Sequence, residues 1–242
     1  VNVRHGVQIE TSSLRGAGVY LAGSGNTSIV SAGQISLLPT ADQSGNGFGL
    51  AISGLGGGTA YIAHEKDGKI VGSDRASLTG VIINQNGNGD AVAEVNGDIL
   101  LSNTGSGRGA RVLITGNSQS SIRLRQGSSS TISVEADSAF GISVRNNSKG
   151  STYSEINGSV NVASTSSIGV ESLAIGGGGS HIVVSETGRT EARGDRAKAI
   201  HSSVVNGAIN AVEVNGTALA TGYGSTGLYV DGSAGSSSVS IG

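Results

Sequence analysis

Apolar residues stand two positions apart in short runs along the chain, and Gly, Asn and Ser separate the runs. Residues 140–162, FGISVRNNSKGSTYSEINGSVNV, show this pattern most clearly. Alternation at period two between turn-forming residues predicts strand, turn, strand, turn, strand. No helical period is sustained anywhere. The three runs of this stretch are Ile142/Val144, Tyr153–Ile156 and Val160/Val162.

The three-strand unit is repeated along the chain, with separations of 28 to 32 residues between equivalent positions. A period of this size is typical of a solenoid. Each unit has too few apolar residues to bury a face alone, so stacking of the units must supply the core. The first apolar residues of the successive first strands are Val19, Leu50, Val81, Ala110, Ile142, Val170, Ile200 and Leu228.

We therefore expect an all-β fold, a right-handed parallel β-helix with three strands per coil and about eight coils of ~30 residues. Coils stack about 4.8 Å apart, so the rod would be roughly 40 Å long. The prediction is a single β-helical domain over residues 1–242, with an irregular N-terminal segment at 1–17. An antiparallel sandwich is the alternative fold. Three strands per repeat, rather than two, favour the solenoid.

Two features of the chain refine this expectation. Because it starts at Val1 without Met and stops within a repeat at Gly242, we expect an excised or mature fragment, truncated in mid-repeat. Asn-Gly pairs precede several third strands, and these residues tolerate the positive φ of sharp turns between coils. The same dipeptide also signals hairpins. The pairs are Asn96-Gly97, Asn157-Gly158 and Asn215-Gly216.

Composition narrows the function classes. The chain has 42 Gly, 3 % aromatic residues and no Cys, which excludes disulfides and thiolate metal sites. A net charge of -2 and a pI near 6.1 predict no general attraction for nucleic acid. No apolar run is long enough to cross a bilayer, so we do not expect the chain itself to span a membrane.

Two longer motifs carry a resemblance to a known family: GISVRN…EINGSVNVAS within residues 141–164 and AVEVNGTALATGYGSTGLYV at residues 211–230. They resemble the β-helical passenger domains of bacterial autotransporters, the type V secretion family. The resemblance covers nearly the whole chain and is architectural. It implies export across both membranes of a Gram-negative cell to the cell surface or the medium. It also implies a C-terminal translocator barrel outside this chain, and roles in adhesion, aggregation or release of a host-directed factor.

The sharpest local motif is Arg193-Gly194-Asp195, in the polar turn between Ala192 and Ala199. Many extracellular proteins engage integrins with this tripeptide, because the guanidinium and carboxylate reach an acidic pocket and a metal ion of the receptor. Neighbouring cations add a basic rim suited to sulfated glycans. The alternative is a solvated turn that keeps the solenoid soluble. The rim residues are Arg189, Arg196 and Lys198.

A second candidate is a cluster of arginines in two adjacent repeats. Arg123 and Arg125 alternate with Ile122 and Leu124, so they should share an outward face. The cluster is a candidate binding stripe for a receptor or a glycan. A solvated face paired with nearby Glu135 and Glu155 is the alternative reading. The other members are Arg108, Arg111 and Arg145.

Catalytic and metal-binding patterns are weak, so we expect no enzyme, no cofactor and no metal. The four histidines are scattered, and no Gly-x-Ser-x-Gly elbow is present. Gly87–Asp90 matches part of a calcium-binding nonapeptide, and such a site needs tandem copies where this chain has one. Gly222-x-Gly224-x-x-Gly227 precedes a strand, where a dinucleotide site needs a helix. Polysaccharide-degrading β-helices need clustered acids, and the candidates here are Asp67, Asp74 and Asp98.

The leading functional hypothesis is a secreted or surface-exposed passenger that acts as a virulence-associated adhesin for host cells or matrix. A released, growth-factor-like effector that activates a host receptor is the second hypothesis. A β-helix polysaccharide lyase or hydrolase is the third. Irregular connections are expected to carry specificity. They are Leu38–Gly47, Asn84–Asp90 and Gly188–Lys198.

Overall fold

The computed structural model describes residues 1–12, 15–39, 45–114, 120–207, 209–233 and 235–242. These residues form 25 strands and no helix. Every strand pairs in parallel with the equivalent strand of the next coil, so the chain is a right-handed β-solenoid. The predicted fold, with three strands per coil of about 30 residues, is confirmed. Part of the Leu38–Gly47 connection, residues 40–44, lies outside the described residues.

Each coil contributes one strand to each of three sheets, which we name A, B and C. Sheet A consists of β1 (Asn2–Val3), β4 (Thr27–Ser31), β7 (Ala60–His64), β10 (Ala91–Val95), β13 (Ile122–Gln126), β16 (Thr152–Ile156), β19 (Ser180–Val184), β22 (Ile209–Val214) and β25 (Ser236–Ile241). Sheet B consists of β2 (Gln8–Thr11), β5 (Gln34–Leu37), β8 (Lys69–Ser73), β11 (Asp98–Thr104), β14 (Thr131–Ala136), β17 (Ser159–Ala163), β20 (Arg189–Arg193) and β23 (Thr217–Thr221). Sheet C consists of β3 (Arg15–Gly23), β6 (Asn46–Gly54), β9 (Ser77–Gln85), β12 (Ser106–Ile114), β15 (Ala139–Asn146), β18 (Ile168–Ala174), β21 (Lys198–Val204) and β24 (Thr226–Gly232).

The register of sheet C follows the repeat deduced from the sequence. All eight residues chosen as equivalent starting points pair directly with one another, for example Val19 with Leu50 and Ile200 with Leu228. Seven complete coils run from β3 to β23, with two strands before them and two after them. The N-terminal segment 1–17 is less irregular than expected. Its strands β1 and β2 extend sheets A and B because they pair in parallel with β4 and β5.

A column of glycines marks a break in the ladder of sheet C. Each stands one position before the aligned apolar residue, and the strand register skips it. The coils approach closely here: a Cβ on Gly49 would lie 2.4 Å from the carbonyl oxygen of Gly80. Side chains are therefore excluded from most of this column. Its members are Gly18, Gly49, Gly80, Gly109, Gly141, Gly169, Ala199 and Gly227.

The predicted Asn-Gly turns lie at the corner between sheets A and B, but not in the expected conformation. Neither member of any of the three pairs has a positive φ. Glycine is needed there because the neighbouring coil comes close. A Cβ on Gly97 would lie 2.4 Å from the Glu65 carbonyl oxygen and 2.7 Å from Nε2 of His64.

The interior differs between two parts of the rod. We call β6 to β11 the apolar coils. Near the corner where sheet C leads into sheet A, their inward positions hold aliphatic residues such as Ile52, Ile83, Ala60 and Ala91, which are at most 1 % exposed. In the polar coils, β16 to β22, the equivalent positions hold hydroxyls and an amide. Polar residues that alternate with apolar ones along a strand usually face solvent, but these face the interior. The polar residues at these equivalent positions are Thr152, Ser172, Ser180, Ser202 and Asn210.

These buried polar groups form a continuous hydrogen-bonded chain. The hydroxyl of Ser172 lies 2.7 Å from those of Thr152 and Ser180. Ser180 continues to Ser202 at 2.8 Å, and the Ser202 hydroxyl donates to Oδ1 of Asn210. The Asn210 amide then donates to the backbone carbonyl of Asp231, in the next coil, at 2.7 Å. Each member thus has a partner, as burial of a polar group requires.

A buried arginine holds the corner between sheets B and C in the first coils. Arg75 is 2 % exposed, and its guanidinium donates to the carbonyl oxygens of Leu38 and Thr11, both at 2.7 Å, and of Asn46 at 3.3 Å. Burial lowers the pKa of this group. Arg75 therefore ties three separate backbone segments together.

Candidate functional site

The Arg193-Gly194-Asp195 tripeptide forms the corner that leads from β20 to β21. Gly194 has a φ of 126°, in the region that favours glycine. Its N–H donates to the Thr221 carbonyl at 2.8 Å, and the N–H of Ser166 donates to the Asp195 carbonyl at 2.7 Å. The corner is therefore clamped between the corners of the coils on either side.

Arg193 and Arg189 lie on the outer face of β20 and flank one carboxylate. Nε of Arg193 lies 2.6 Å from Oε1 of Glu191, and Nη2 of Arg189 lies 2.9 Å from Oε2. Hydrogen bonds from Arg193 and then Arg189 lower the pKa of Glu191. Of the expected basic rim, Arg189 is thus paired within the strand. The Arg193 side chain is still 66 % exposed.

Asp195 and Arg196 are both exposed at the tip of the corner. Oδ1 of Asp195 accepts the backbone N–H of Tyr223, in the next coil, at 3.1 Å. Arg196 has a φ of 58°, and its N–H donates to the Tyr223 carbonyl at 2.8 Å. Both charged side chains of the tripeptide are accessible, and each also makes a contact within the protein. Its role in binding stays a prediction.

Arg123 and Arg125 do share the outer face of β13, and both are exposed. Arg125 stands in register between Glu94 and Glu155 of the neighbouring coils. Its Nε lies 3.4 Å from Oε1 of Glu155, which also accepts a hydrogen bond from the Asn157 amide at 2.9 Å. Arg125 is therefore part of a ladder of alternating charge.

The other arginines of the expected stripe lie on a different sheet. Arg108 and Arg145 belong to sheet C, where Arg108 stacks 5.1 Å from the ring of Phe140. Nε of Arg145 donates to Oδ1 of Asn147 at 2.9 Å. Arg111 is also in sheet C, and its side chain lies outside the described residues. The five arginines thus divide between strands of two sheets, A and C.

A groove of about 470 Å³ runs along the corner between sheets A and B, which we call the A–B groove. At its margin, Tyr61 donates to Oε2 of Glu94 at 2.8 Å. Burial, together with this hydrogen bond, raises the pKa of Tyr61 to about 12, so the phenol keeps its proton. The lining residues are Glu65, Lys66, Glu94, Asn96, Arg125, Gly127, Ser128, Ser129, Asn157 and Thr187.

A second group of ionisable side chains is stacked on the outer face of sheet C. His201 lies with Nδ1 3.8 Å from Glu171 and Nε2 4.0 Å from Asp231, and its side chain is 15 % exposed. Tyr229 packs against the imidazole, and Lys198 lies 4.0 Å from the Tyr229 ring centroid. Burial, followed by the nearby Lys198 charge, lowers the pKa of His201.

The acids weighed for polysaccharide cleavage do not converge. Asp67 and Asp74 lie at opposite ends of β8. Oδ1 of Asp98 accepts the N–H of Thr131 at 2.9 Å and so caps a strand. The described part of the chain holds no group of three His, Asp or Glu side chains suited to a metal ion. Gly222–Gly227 leads into strand β24, as the sequence predicts.

The A–B groove and the cluster around His201 were missed from the sequence. Glu171 and His201 are 30 residues apart, one coil length, and that spacing is the signal that could have joined them. The groove residues recur at the ends of the sheet A strands and in the turns that follow them. Only the stacking of the coils brings them into one surface.

No protein-family model, no curated protein and no solved structure matches this chain. The comparisons therefore add no relative from which a site could be transferred. Among the described residues, no helix is long and apolar enough to cross a membrane.

Proposed function

We propose that this chain is the passenger of a bacterial autotransporter, displayed on the cell surface or secreted, and that it acts as an adhesin for host cells or matrix. The observation that carries the proposal is the corner at residues 193–196, whose Arg and Asp side chains are exposed on a rigid, clamped backbone. A preorganised corner loses little entropy on binding. The ion pair of Arg193 with Glu191 is exposed on one side, and such pairs are weak enough to yield to a receptor.

The test uses the purified chain in adhesion assays with cultured endothelial and epithelial cells. In the variant Asp195→Asn, the amide oxygen can still accept the Tyr223 N–H, but the negative charge that would meet a receptor metal ion is gone. The matched control is Asp90→Asn, because Asp90 is exposed and caps the N–H of Ser121 in the same way at 2.9 Å. Asp195→Asn should weaken adhesion about tenfold or more, and EDTA should abolish the Asp195-dependent part.

Equal adhesion by both variants would remove the tripeptide from the proposal. The released-effector hypothesis would be favoured instead if the dilute soluble chain triggered phosphorylation of signalling proteins inside host cells without causing adhesion. The polysaccharide-degrading alternative has no support from Asp67, Asp74 and Asp98, and turnover of pectin or a glycosaminoglycan by the chain would revive it.

A further inference from the structure

We propose that the A–B groove is a binding site for a neutral oligosaccharide. Its lining comes from five successive coils, from Glu65 and Lys66 at one end to Thr187 at the other. With coils about 4.8 Å apart, these five coils span roughly 20 Å. That length accommodates several pyranose units of an extended glycan, and the proposal stands independently of the Arg193–Asp195 corner.

The lining has the hydrogen-bonding groups that a sugar needs. Asn96 supplies an amide, and Ser128, Ser129 and Thr187 supply hydroxyls. Asn157 supplies its amide oxygen, because its two N–H groups already donate to Gln126 and Glu155. The contact of Arg125 with Glu155 uses Nε, which leaves the N–H groups of its two terminal nitrogens for a ligand. Guanidinium groups donate in a fixed fork, a geometry that suits two neighbouring oxygen atoms.

The charges along the groove decide between neutral and acidic glycans. The lining has two carboxylates, Glu65 and Glu94, and two cations, Lys66 and Arg125. Glu155 adds a third carboxylate, in contact with Arg125. A sulfated glycan binds where cations dominate, because its affinity depends on unbalanced positive charge. The groove therefore favours a neutral glycan, in contrast to the sulfated ligand considered for the basic rim beside Asp195.

A peptide ligand fits this groove less well. The lining contains no large apolar side chain that could anchor a peptide residue. The flanking strands of sheets A and B are paired on both sides by neighbouring coils, so they present no free edge to an added strand. What the corner offers instead is a row of polar side-chain groups.

The groove is also formed before a ligand arrives. The Asn157 amide donates to the Gln126 carbonyl at 3.0 Å, and the Thr187 hydroxyl donates to the Asn157 carbonyl at 2.8 Å. A Cβ on Gly127 would lie 2.4 Å from Oδ1 of Asn96, so glycine makes room for that amide. Fixed side chains reduce the entropy that binding must overcome.

The experiment measures binding of the full chain to four neutral hexasaccharides, cellohexaose, chitohexaose, maltohexaose and laminarihexaose, with heparin hexasaccharide as the acidic comparison. Titration calorimetry should detect at least one neutral ligand, and Arg125→Ala should weaken it about tenfold. The matched control is Arg123→Ala, on the same strand and the same exposed face but outside the groove lining. Thermal melting of each variant checks that the solenoid is intact.

Binding of a neutral hexasaccharide that is insensitive to salt and to Asp195→Asn would support the site and separate it from the adhesin corner. Three results would overturn it: no neutral hexasaccharide binds, heparin binds more tightly than all of them, or Arg123→Ala weakens binding as much as Arg125→Ala.

Discussion

The apolar coils and the polar coils share one backbone and differ in what fills it. Ile52 and Ile83 stand between sheets A and C in the first part, whereas Ser172 and Ser202 occupy the same column in the second. Both sets are at most 1 % exposed. The difference teaches that the strand ladder, rather than a uniformly apolar interior, defines this fold.

The hydrogen-bonded chain from Thr152 to Asn210 is tolerated in the interior because its groups satisfy one another. A buried hydroxyl without a partner costs about 1–3 kcal/mol, whereas a paired one costs little. The chain from Thr152 to Asn210 gives each hydroxyl a neighbour in the same or the adjacent coil. At position 83, by contrast, the aligned residue of the preceding coil is the buried aliphatic Ile52.

The largest effect is expected when a polar-coil residue is placed in the apolar coils. Ile83→Ser removes a buried side chain and leaves a hydroxyl among aliphatic neighbours, so the free energy of unfolding should fall by about 4–6 kcal/mol. The matched variant is Val144→Ser, whose new hydroxyl stands in register beside Ser172. It should cost at least about 2 kcal/mol less. Urea denaturation measures both free energies of unfolding. Equal decreases in the two variants would contradict a stabilising role for the hydrogen-bonded chain.

A smaller effect is expected when the polar chain loses its end. Asn210→Ala removes the acceptor of the Ser202 hydroxyl and the donor to the Asp231 carbonyl. Unfolding should become easier by about 1–3 kcal/mol. Hydrogen exchange should show the loosening in β21 to β24, with the apolar coils unchanged. Uniform loss of protection along the rod would argue against coil-by-coil stability.

The smallest effect is an acid sensitivity present in both parts. Burial lowers the pKa of His64 and of His201 below their ordinary value of 6.5. The unfolded chain therefore takes up protons first as the pH falls below about 6.5, which favours unfolding. Above that pH both histidines are neutral in the folded and the unfolded chain, so neither makes stability depend on pH.

Urea denaturation between pH 8 and pH 5 measures this loss. His64→Gln and His201→Gln should each remove part of it, and Gln126, two coils beyond His64 in the same column, shows that Gln fits there. If the free energy of unfolding of the double variant falls as much between pH 8 and pH 5 as that of the unmodified chain, the two histidines are not the cause.

The strands could be predicted because inward residues such as Ile142 and Val160 alternate with polar ones. The hydrogen-bonded chain could not be predicted, because Ser and Asn, the residue types at positions 202 and 210, also occur at solvent-facing positions. Whether a hydroxyl is inside depends on partners one coil away. The role of Gly97 was misjudged for a related reason: close approach of a neighbouring coil leaves no mark in local sequence.

The candidate sites were predictable only where a motif is contiguous. Arg193, Gly194 and Asp195 are adjacent in sequence, so they could be found. Asn96 and Thr187 are 91 residues apart, and only the stacking of coils makes them part of one groove.

The direction of the strands has a mechanical consequence for a protein held at both ends. The strands of all three sheets run across the rod, and the hydrogen bonds between coils lie along its axis. Tension along that axis therefore pulls these hydrogen bonds open in succession. A freed coil of about 30 residues extends by roughly 100 Å. Under load, the molecule would lengthen stepwise, one coil at a time, and so dissipate the applied force. The coils that are still folded would keep their surfaces unchanged.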